Sequence, residues 1–215
     1  MITRLKVCCI GGREEASLAV RYGASALGLV SEMPSGPGVI PDTLIREIAA
    51  STPPAVSTFL LTSRTDPYEI AEQHRRCGTT AVQLVDRVEA KVYEELRAAL
   101  PGVRLVQVVH VTGPESEDES LEVARHADAL LLDSGRPDLV VKELGGTGRI
   151  HDWEVSRSIR KTVEIPVFLA GGLSPDNVAE AVRAVRPFAV DVCSGLRTAG
   201  RLDEAKLRDF VGALG

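Results

Sequence analysis

The sequence predicts an α/β fold, a parallel eight-stranded (β/α)8 barrel of the TIM type. Two observations predict it. Short β-branched, apolar runs alternate with helical patterns eight times along the 215 residues, with no break in composition. Alternation at this spacing gives parallel βαβ units, and eight of them favour a closed barrel over an open doubly wound sheet. The second observation is a set of glycine clusters in the C-terminal third: Gly145-Gly146-Thr147-Gly148, Leu169-Ala170-Gly171-Gly172, and Asp191-Val192-Cys193-Ser194-Gly195. The last two each close an apolar run. The expected organisation is one barrel domain over residues 1–215, near the lower edge of length for this fold.

The elements follow in order. The run from Leu5 to Ile10, then Gly11-Gly12, is apolar on both faces, as a strand buried in a parallel barrel should be. Arg13 to Tyr22 reads as a helix that Gly23 stops. Ala26 to Val30 is the second strand. The Pro- and Gly-rich stretch from Ser31 to Pro41 reads as an irregular loop. Asp42 caps a helix to about Ser51. Ala55 to Leu61 is the third strand, and Asp66-Pro67 opens the next helix with Pro at its first position. Thr80 to Leu84 is the fourth strand, and Arg87 to Leu100 its helix. Val103 to Val109, a helix from Ser116 to His126, and Ala129 to Leu132 ending at Asp133 come next. A long loop precedes the helix from Asp152 to Arg160. Strands seven and eight are Ile165 to Leu169 and Phe188 to Val192, with helices from Pro175 to Val185 and Asp203 to Leu214.

Composition excludes several classes. The formal charge is −5 and no Lys/Arg-rich stripe appears, which argues against nucleic-acid binding. An aromatic content of 4% argues against a platform for stacked bases. No stretch approaches a membrane span and no charged-then-apolar leader precedes Leu5, so a cytoplasmic protein with no membrane partner is expected. Cys8, Cys9, Cys77 and Cys193 have no metal-ligand spacing, so reduced thiols and no metal are expected. The oligomeric state is not readable.

In such a barrel, chemistry sits at the C-terminal ends of the strands. Those ends carry Cys8 and Cys9, Ser31 and Glu32, Gln83, His110, Asp133, Asp191, Cys193 and Ser194. A thiol after strand one and a carboxyl after strand six, across the mouth from each other, make an acid–base pair. The bland readings stand beside this. A Cys in an apolar strand is commonly a small buried hydrophobe, the reading favoured here for Cys9 and Cys77. An Asp at a strand end caps a turn as readily as it reacts. His110 and His151 read as surface loop residues, and Asp191 at least as readily as a holder of loop N–H groups as a catalytic group. The glycines carry more. Without a Cβ the backbone N–H groups approach an anion closely, and several of them with a helix N-terminus form a phosphate cradle. The loops after strands seven and eight are its usual place. A small phosphorylated ligand follows.

Seven stretches then act together. They are Lys6-Val7-Cys8; Ala24 to Val30; Val82-Gln83-Leu84; Leu131-Leu132-Asp133-Ser134; Gly145 to Arg149 with Asp152-Trp153; Leu169 to Leu173 with Asn177-Val178; and Val190 to Gly195. In this order, nearly end to end, they resemble the motifs of the phosphoribosylanthranilate isomerase family. The resemblance implies an Amadori rearrangement in tryptophan biosynthesis, aminoaldose phosphate to aminoketose phosphate, with no cofactor and no metal. It implies Asp133 as general acid on the ring oxygen and Cys8 as general base at the sugar C2. A cysteine does this only as thiolate, so the site must favour that form over a thiol of ordinary pKa ~8.5. Gly146, Gly148, Gly171, Gly172, Ser194 and Gly195 would hold the phosphate.

The sequence departs from the pattern in four places. The family's Cys-Gly after strand one is Cys8-Cys9 here. Its Ser-Pro-Arg after strand two, whose Arg meets the anthranilate carboxylate, is a Ser35-Gly36-Pro37-Gly38 loop with no Arg. Its His-Gly after strand four is Val85-Asp86, and its closing Val-Glu is Leu196-Arg197. Three readings therefore stay open: a working isomerase with Arg64 or Arg87 replacing the missing Arg, a paralogue acting on another phosphosugar, and a phosphosugar-binding protein without catalysis.

Overall fold

The apolar runs pair side by side into a sheet that has no edges. In the computed structural model, which describes residues 2–34, 36–135 and 151–215, eight parallel strands close in chain order. They are β1 (Arg4–Val7), β2 (Ala26–Val30), β3 (Ser57–Thr62), β4 (Ala81–Leu84), β5 (Arg104–His110), β6 (Ala129–Asp133), β7 (Val167–Leu169) and β8 (Ala189–Val192). Between them lie α1 (Arg13–Arg21), α2 (Asp42–Ser51), α3 (Pro67–Cys77), α4 (Ala90–Ala99), α5 (Ser116–Ala124), α6 (Trp153–Thr162) and α7 (Val178–Val185). After β8 come a 3-10 turn (Ser194–Leu196), a small antiparallel hairpin of β9 (Arg197–Thr198) and β10 (Arg201–Leu202), and α8 (Glu204–Leu214). β1 pairs with β8 over four residues, Arg4 with Ala189 through Val7 with Val192, and this pairing closes the barrel.

Side chains alternate across each strand, so one parity faces the barrel axis and the other faces the helices. Leu5, Val7, Leu27, Leu29, Val190 and Val192 point outward, where they pack with α1, α2, α7 and α8. On the other half of the barrel Val82, Leu84, Leu130 and Leu132 have the same role, packed on α3 to α6. The inward parity carries Ala26, Val30, Phe59, Leu61, Val106 and Val108, with Leu131 and Phe168 completing the interior. The same parity also carries polar groups, and Lys6, Gln83, His110, Asp133 and Asp191 are all buried.

Local chemistry sets the ends of the elements. Asp66 accepts the Glu69 N–H at 2.9 Å as the N-cap of α3, and Gly78 closes that helix at φ 68°. Asp203 caps α8 by accepting the Ala205 and Lys206 N–H groups.

Several expectations need correction. Asp42 is the first residue of α2 rather than its cap. Pro41 holds the cap position, and the Asp42 carboxylate instead receives Gln73 at 3.1 Å and Arg76 at 3.0 Å. α4 begins at Ala90 rather than Arg87, because the chain first turns, with the Arg87 N–H on the Asp86 carboxylate at 2.9 Å. β7 begins after Pro166, which has no N–H for the ladder. His110 is not a surface loop residue: it ends β5, is buried, and its Nε2 lies 3.2 Å from the Val85 carbonyl.

Candidate active site

A cleft opens at the C-terminal end of the barrel. Cys8 and Asp133 both line it, as do Gly171, Gly172 and Ser194. β6 is reached from β1 through β8 and β7, so the thiol and the carboxyl stand on the same half of the mouth as the glycine loops. Gly146 and Gly148 lie outside the described residues.

The β1 end is built around a buried ion pair. Lys6 is fully buried, and its Nζ donates to Asp191 Oδ1 at 2.8 Å. An isolated ammonium in a barrel interior costs several kcal/mol, so the partner is obligatory. Burial opposes the ammonium, but Asp191 and the neighbouring Cys8 outweigh it, and Lys6 is held above the ordinary lysine value. The ammonium also lies 5.3 Å from the centre of the Phe59 ring, a cation–π distance. Asp191 therefore holds a lysine, and not the loop N–H groups that its sequence position suggests.

Gly28 on β2 makes room for both side chains. A methyl built there would sit 2.7 Å from Cys8 Sγ and 3.2 Å from Lys6 Nζ. The two polar atoms therefore crowd one point, and a cation lies beside the candidate base.

After Cys8, whose N–H donates to the Val192 carbonyl at 2.9 Å, the chain turns left-handed at Cys9, φ 61°. A non-glycine residue held there costs about 1–3 kcal/mol. Cys9 is buried in the inner hydrophobic cluster, as expected, and it also lines the cleft together with Cys193. Against the opposing effect of burial, the neighbouring Cys9 thiol and Arg197 hold the Cys193 thiol below its ordinary value, while Cys193 and burial push the Cys9 thiol well above its own. Cys77 is core as well, and burial pushes its thiol up to about 12.

The β7 and β8 loops form the glycine-rich wall. Gly171 and Gly172 both adopt positive φ, 84° and 63°. Asn177 fixes their loop, donating to the Gly172 carbonyl at 2.9 Å and accepting the Ser174 N–H at 2.8 Å. Gly195 sits against the other loop: a Cβ there would be 2.0 Å from the Leu173 carbonyl oxygen. Opposite, Val30, Met33, Pro37, Leu61, Val85 and Val108 give an apolar wall. Gln83 reaches the cleft with a buried Oε1 that has no partner among the described residues. Arg64 pairs with Glu69 at 2.8 Å and Arg87 approaches Glu119 at 4.0 Å; neither lines the cleft. Asp133 accepts the Ser134 N–H at 2.7 Å. His151, half-buried, shares a hydrogen bond with Ser156 Oγ at 2.7 Å, and burial holds its imidazole below the ordinary value against the pull of Asp133. Among the described residues no three His, Cys, Asp or Glu side chains gather as metal ligands. No described helix is long and apolar enough to cross a membrane.

Residues 6–213 match the family model of N-(5'-phosphoribosyl)anthranilate (PRA) isomerase. The chain belongs to that family. An N-(5'-phosphoribosyl)anthranilate isomerase of Methanocella arvoryzae is 38% identical over 215 residues, covering 98% of this chain and 97% of its own. One from Haloferax volcanii is 36% identical, over 99% and 93%. The crystal structure of the Thermotoga maritima phosphoribosyl anthranilate isomerase superposes with a TM-score of 0.85 at 28% identity, over 99% of this chain and 98% of that one. A phosphoribosyl anthranilate isomerase in complex with reduced 1-(o-carboxyphenylamino)-1-deoxyribulose 5-phosphate gives 0.82 at 26%, over the same shares. The family assignment makes the chain an isomerase of tryptophan biosynthesis.

Of the residues that sequence reasoning singled out, Cys8, Asp133, Gly171, Gly172 and Ser194 line the cleft, and Gly195 packs against Leu173. That reasoning missed the Lys6–Asp191 pair, the room made by Gly28, and the contacts of Arg197. A signal for the first was available, since a lysine inside an apolar strand demands a buried acid.

Proposed function

We propose that the protein converts N-(5'-phosphoribosyl)anthranilate into 1-(o-carboxyphenylamino)-1-deoxyribulose 5-phosphate, with Asp133 as general acid and Cys8 as general base. The carboxyl of Asp133 gives its proton to the ribose ring oxygen. The C1–O bond breaks, and the anthranilate nitrogen lone pair forms a C1=N bond. The Cys8 thiolate then takes the proton on C2, and the C2–H electrons form C1=C2 as the C=N bond collapses onto nitrogen. The resulting enol relaxes to the ketone. The Lys6 ammonium stands beside the Cys8 sulfur, and Asp191 keeps that ammonium in place. Gly171, Gly172, Ser194 and Gly195, with Gly146 and Gly148 of the preceding loop, would hold the phosphate.

One observation carries the reading: Cys8 and Asp133 open onto the same cleft as the positive-φ glycines of the β7 loop. A second reading, a paralogue acting on or only binding another phosphosugar, draws on the second loop, which has no Arg, and on Arg64 and Arg87, which are engaged off the cleft. Growth rescue separates the two. The gene and its Asp133→Asn variant are put into a bacterial strain lacking this isomerase and plated without tryptophan. Rescue by the wild type alone supports the proposal. Rescue by both removes Asp133 as the acid. Rescue by neither, with folded protein present, favours the paralogue.

A further inference from the structure

We propose that Arg197 and Glu15 form a positioning clamp that holds the strained Cys8-Cys9 turn and so aims the Cys8 thiol. The inference rests on Cys8 being the base. Arg197 Nη2 donates to the Cys8 carbonyl at 3.3 Å and closely to the Cys9 carbonyl. Glu15 fixes the guanidinium from the other side, with Nη1 to Oε1 at 3.2 Å and Nη2 to Oε2 at 3.1 Å. Glu15 is itself held by the Gly11 and Leu202 N–H groups, each at 2.9 Å. Nη1 also reaches the Gly200 carbonyl at 2.9 Å. The loops after β1 and β8 are thus tied through one largely buried fork, the Arg197 side chain being 10% exposed.

The need for the clamp lies at position 9. The resemblance gives the family a glycine there, and φ 61° is a conformation glycine adopts freely. A cysteine there has a Cβ that works against the turn. The side chain is also wedged: a Cβ on Gly38 would fall 2.5 Å from that of Cys9. The chain departs from the family at 9 and again at 197, where Glu becomes Arg. The two departures meet in space, since the new guanidinium binds the carbonyls on either side of the new strain. Arg does this where Lys cannot, because its planar fork serves carbonyls and carboxylate together. Burial works against the Glu15 carboxylate, yet Arg197 and the two N–H groups hold it below its ordinary range.

A double-mutant comparison tests the clamp: Arg197→Ala and Arg197→Lys, each in the wild type and in Cys9→Gly. Two readouts are taken, steady-state kinetics and the rate at which iodoacetamide alkylates Cys8, followed by peptide mass spectrometry. In the wild type, Arg197→Ala should lower kcat by on the order of 10²-fold with little change in KM, as a roughly 1 Å misplacement does. In Cys9→Gly the same change should cost less than about threefold, because the strain is gone. Equal losses in both backgrounds would overturn the clamp and leave only a general packing role. If Arg197→Ala does not fold, recovery of folding in Cys9→Gly supports the clamp, and failure in both backgrounds refutes it. Cys8→Ala tells the two proposals apart. If it keeps full activity, Cys8 is not the base. If it is inactive while Arg197→Ala is unimpaired, the clamp alone is wrong. Alkylation of Cys8 needs no substrate, so it reports on the turn even if the substrate is a different phosphosugar.

Discussion

With Cys8 as the proposed base, Gly28→Ala should disable the isomerase while leaving it folded. The added methyl would stand 2.7 Å from Cys8 Sγ, 3.1 Å from Cys8 Cα and 3.2 Å from Lys6 Nζ. Heavy atoms pack comfortably at ~3.5–4.0 Å, so the sulfur must retreat by about 1 Å. It has little freedom to do so, because the Cys8 N–H is bonded to Val192 and the Cα is itself too close. A displacement of that size costs on the order of 10²-fold in rate, about 2.7 kcal/mol of activation free energy. Overpacking of the interior should also destabilise the fold by about 1–3 kcal/mol. Steady-state kinetics on phosphoribosylanthranilate and urea unfolding measure the two effects. Gly212→Ala is the control: nothing lies within 4 Å of a Cβ there, inside α8, so kcat should be unchanged and stability should rise by about 0.5–1 kcal/mol. A folded Gly28→Ala enzyme with kcat within about threefold of wild type would refute the argument that the thiol's position is set by this contact.

Lys6→Met leaves Asp191 buried without its cation and should cost about 3–5 kcal/mol in urea unfolding. The double change with Asp191→Leu should recover much of that, and an additive loss would contradict a pair. His74 is pushed below its ordinary value by burial, against the Thr79 carbonyl at 2.7 Å. The unfolded chain therefore takes up a proton near ~6.5 that the native protein refuses, so stability is full above that pH and falls as pH drops toward the folded value. His74→Gln should flatten the decline in Tm between pH 7 and 5, and an unchanged slope would count against the assignment. Of Cys193, Cys9 and Cys77 in the native protein, Cys193 should be alkylated first, since its thiol is held low while burial helps push those of Cys9 and Cys77 up; peptide mass spectrometry gives the order, and earlier labelling of Cys9 or Cys77 would contradict the reading.

The alternation of strands and helices was legible because each barrel strand is a short, mostly apolar run and the runs are punctuated by Gly, Pro or Asp. β2 runs from Ala26 to Val30 as read from the sequence. Ends were less legible where local hydrogen bonds redirect the chain, as at Asp86 before α4, or where a donor is missing, as at Pro166 before β7. The site was legible wherever a motif is contiguous, as in Ala170-Gly171-Gly172. It was not where the partners are distant in sequence. Lys6 meets Asp191, and Glu15 meets Arg197, only because β1 and β8 adjoin in the closed barrel. His110 looked like loop because its strand runs one residue further than its hydrophobic pattern, with His110 opposite Asp133.

The Lys6–Asp191 pair spans 185 residues. A chain growing from its N-terminus therefore carries Lys6 without this partner until β8 has been made. At a synthesis rate of roughly 5–20 residues per second, that wait is about 10 to 40 s. Through it the first strand has every reason to stay in water, since burial alone would strand the charge. The acid that satisfies the first strand's lysine thus arrives with the strand that closes the barrel.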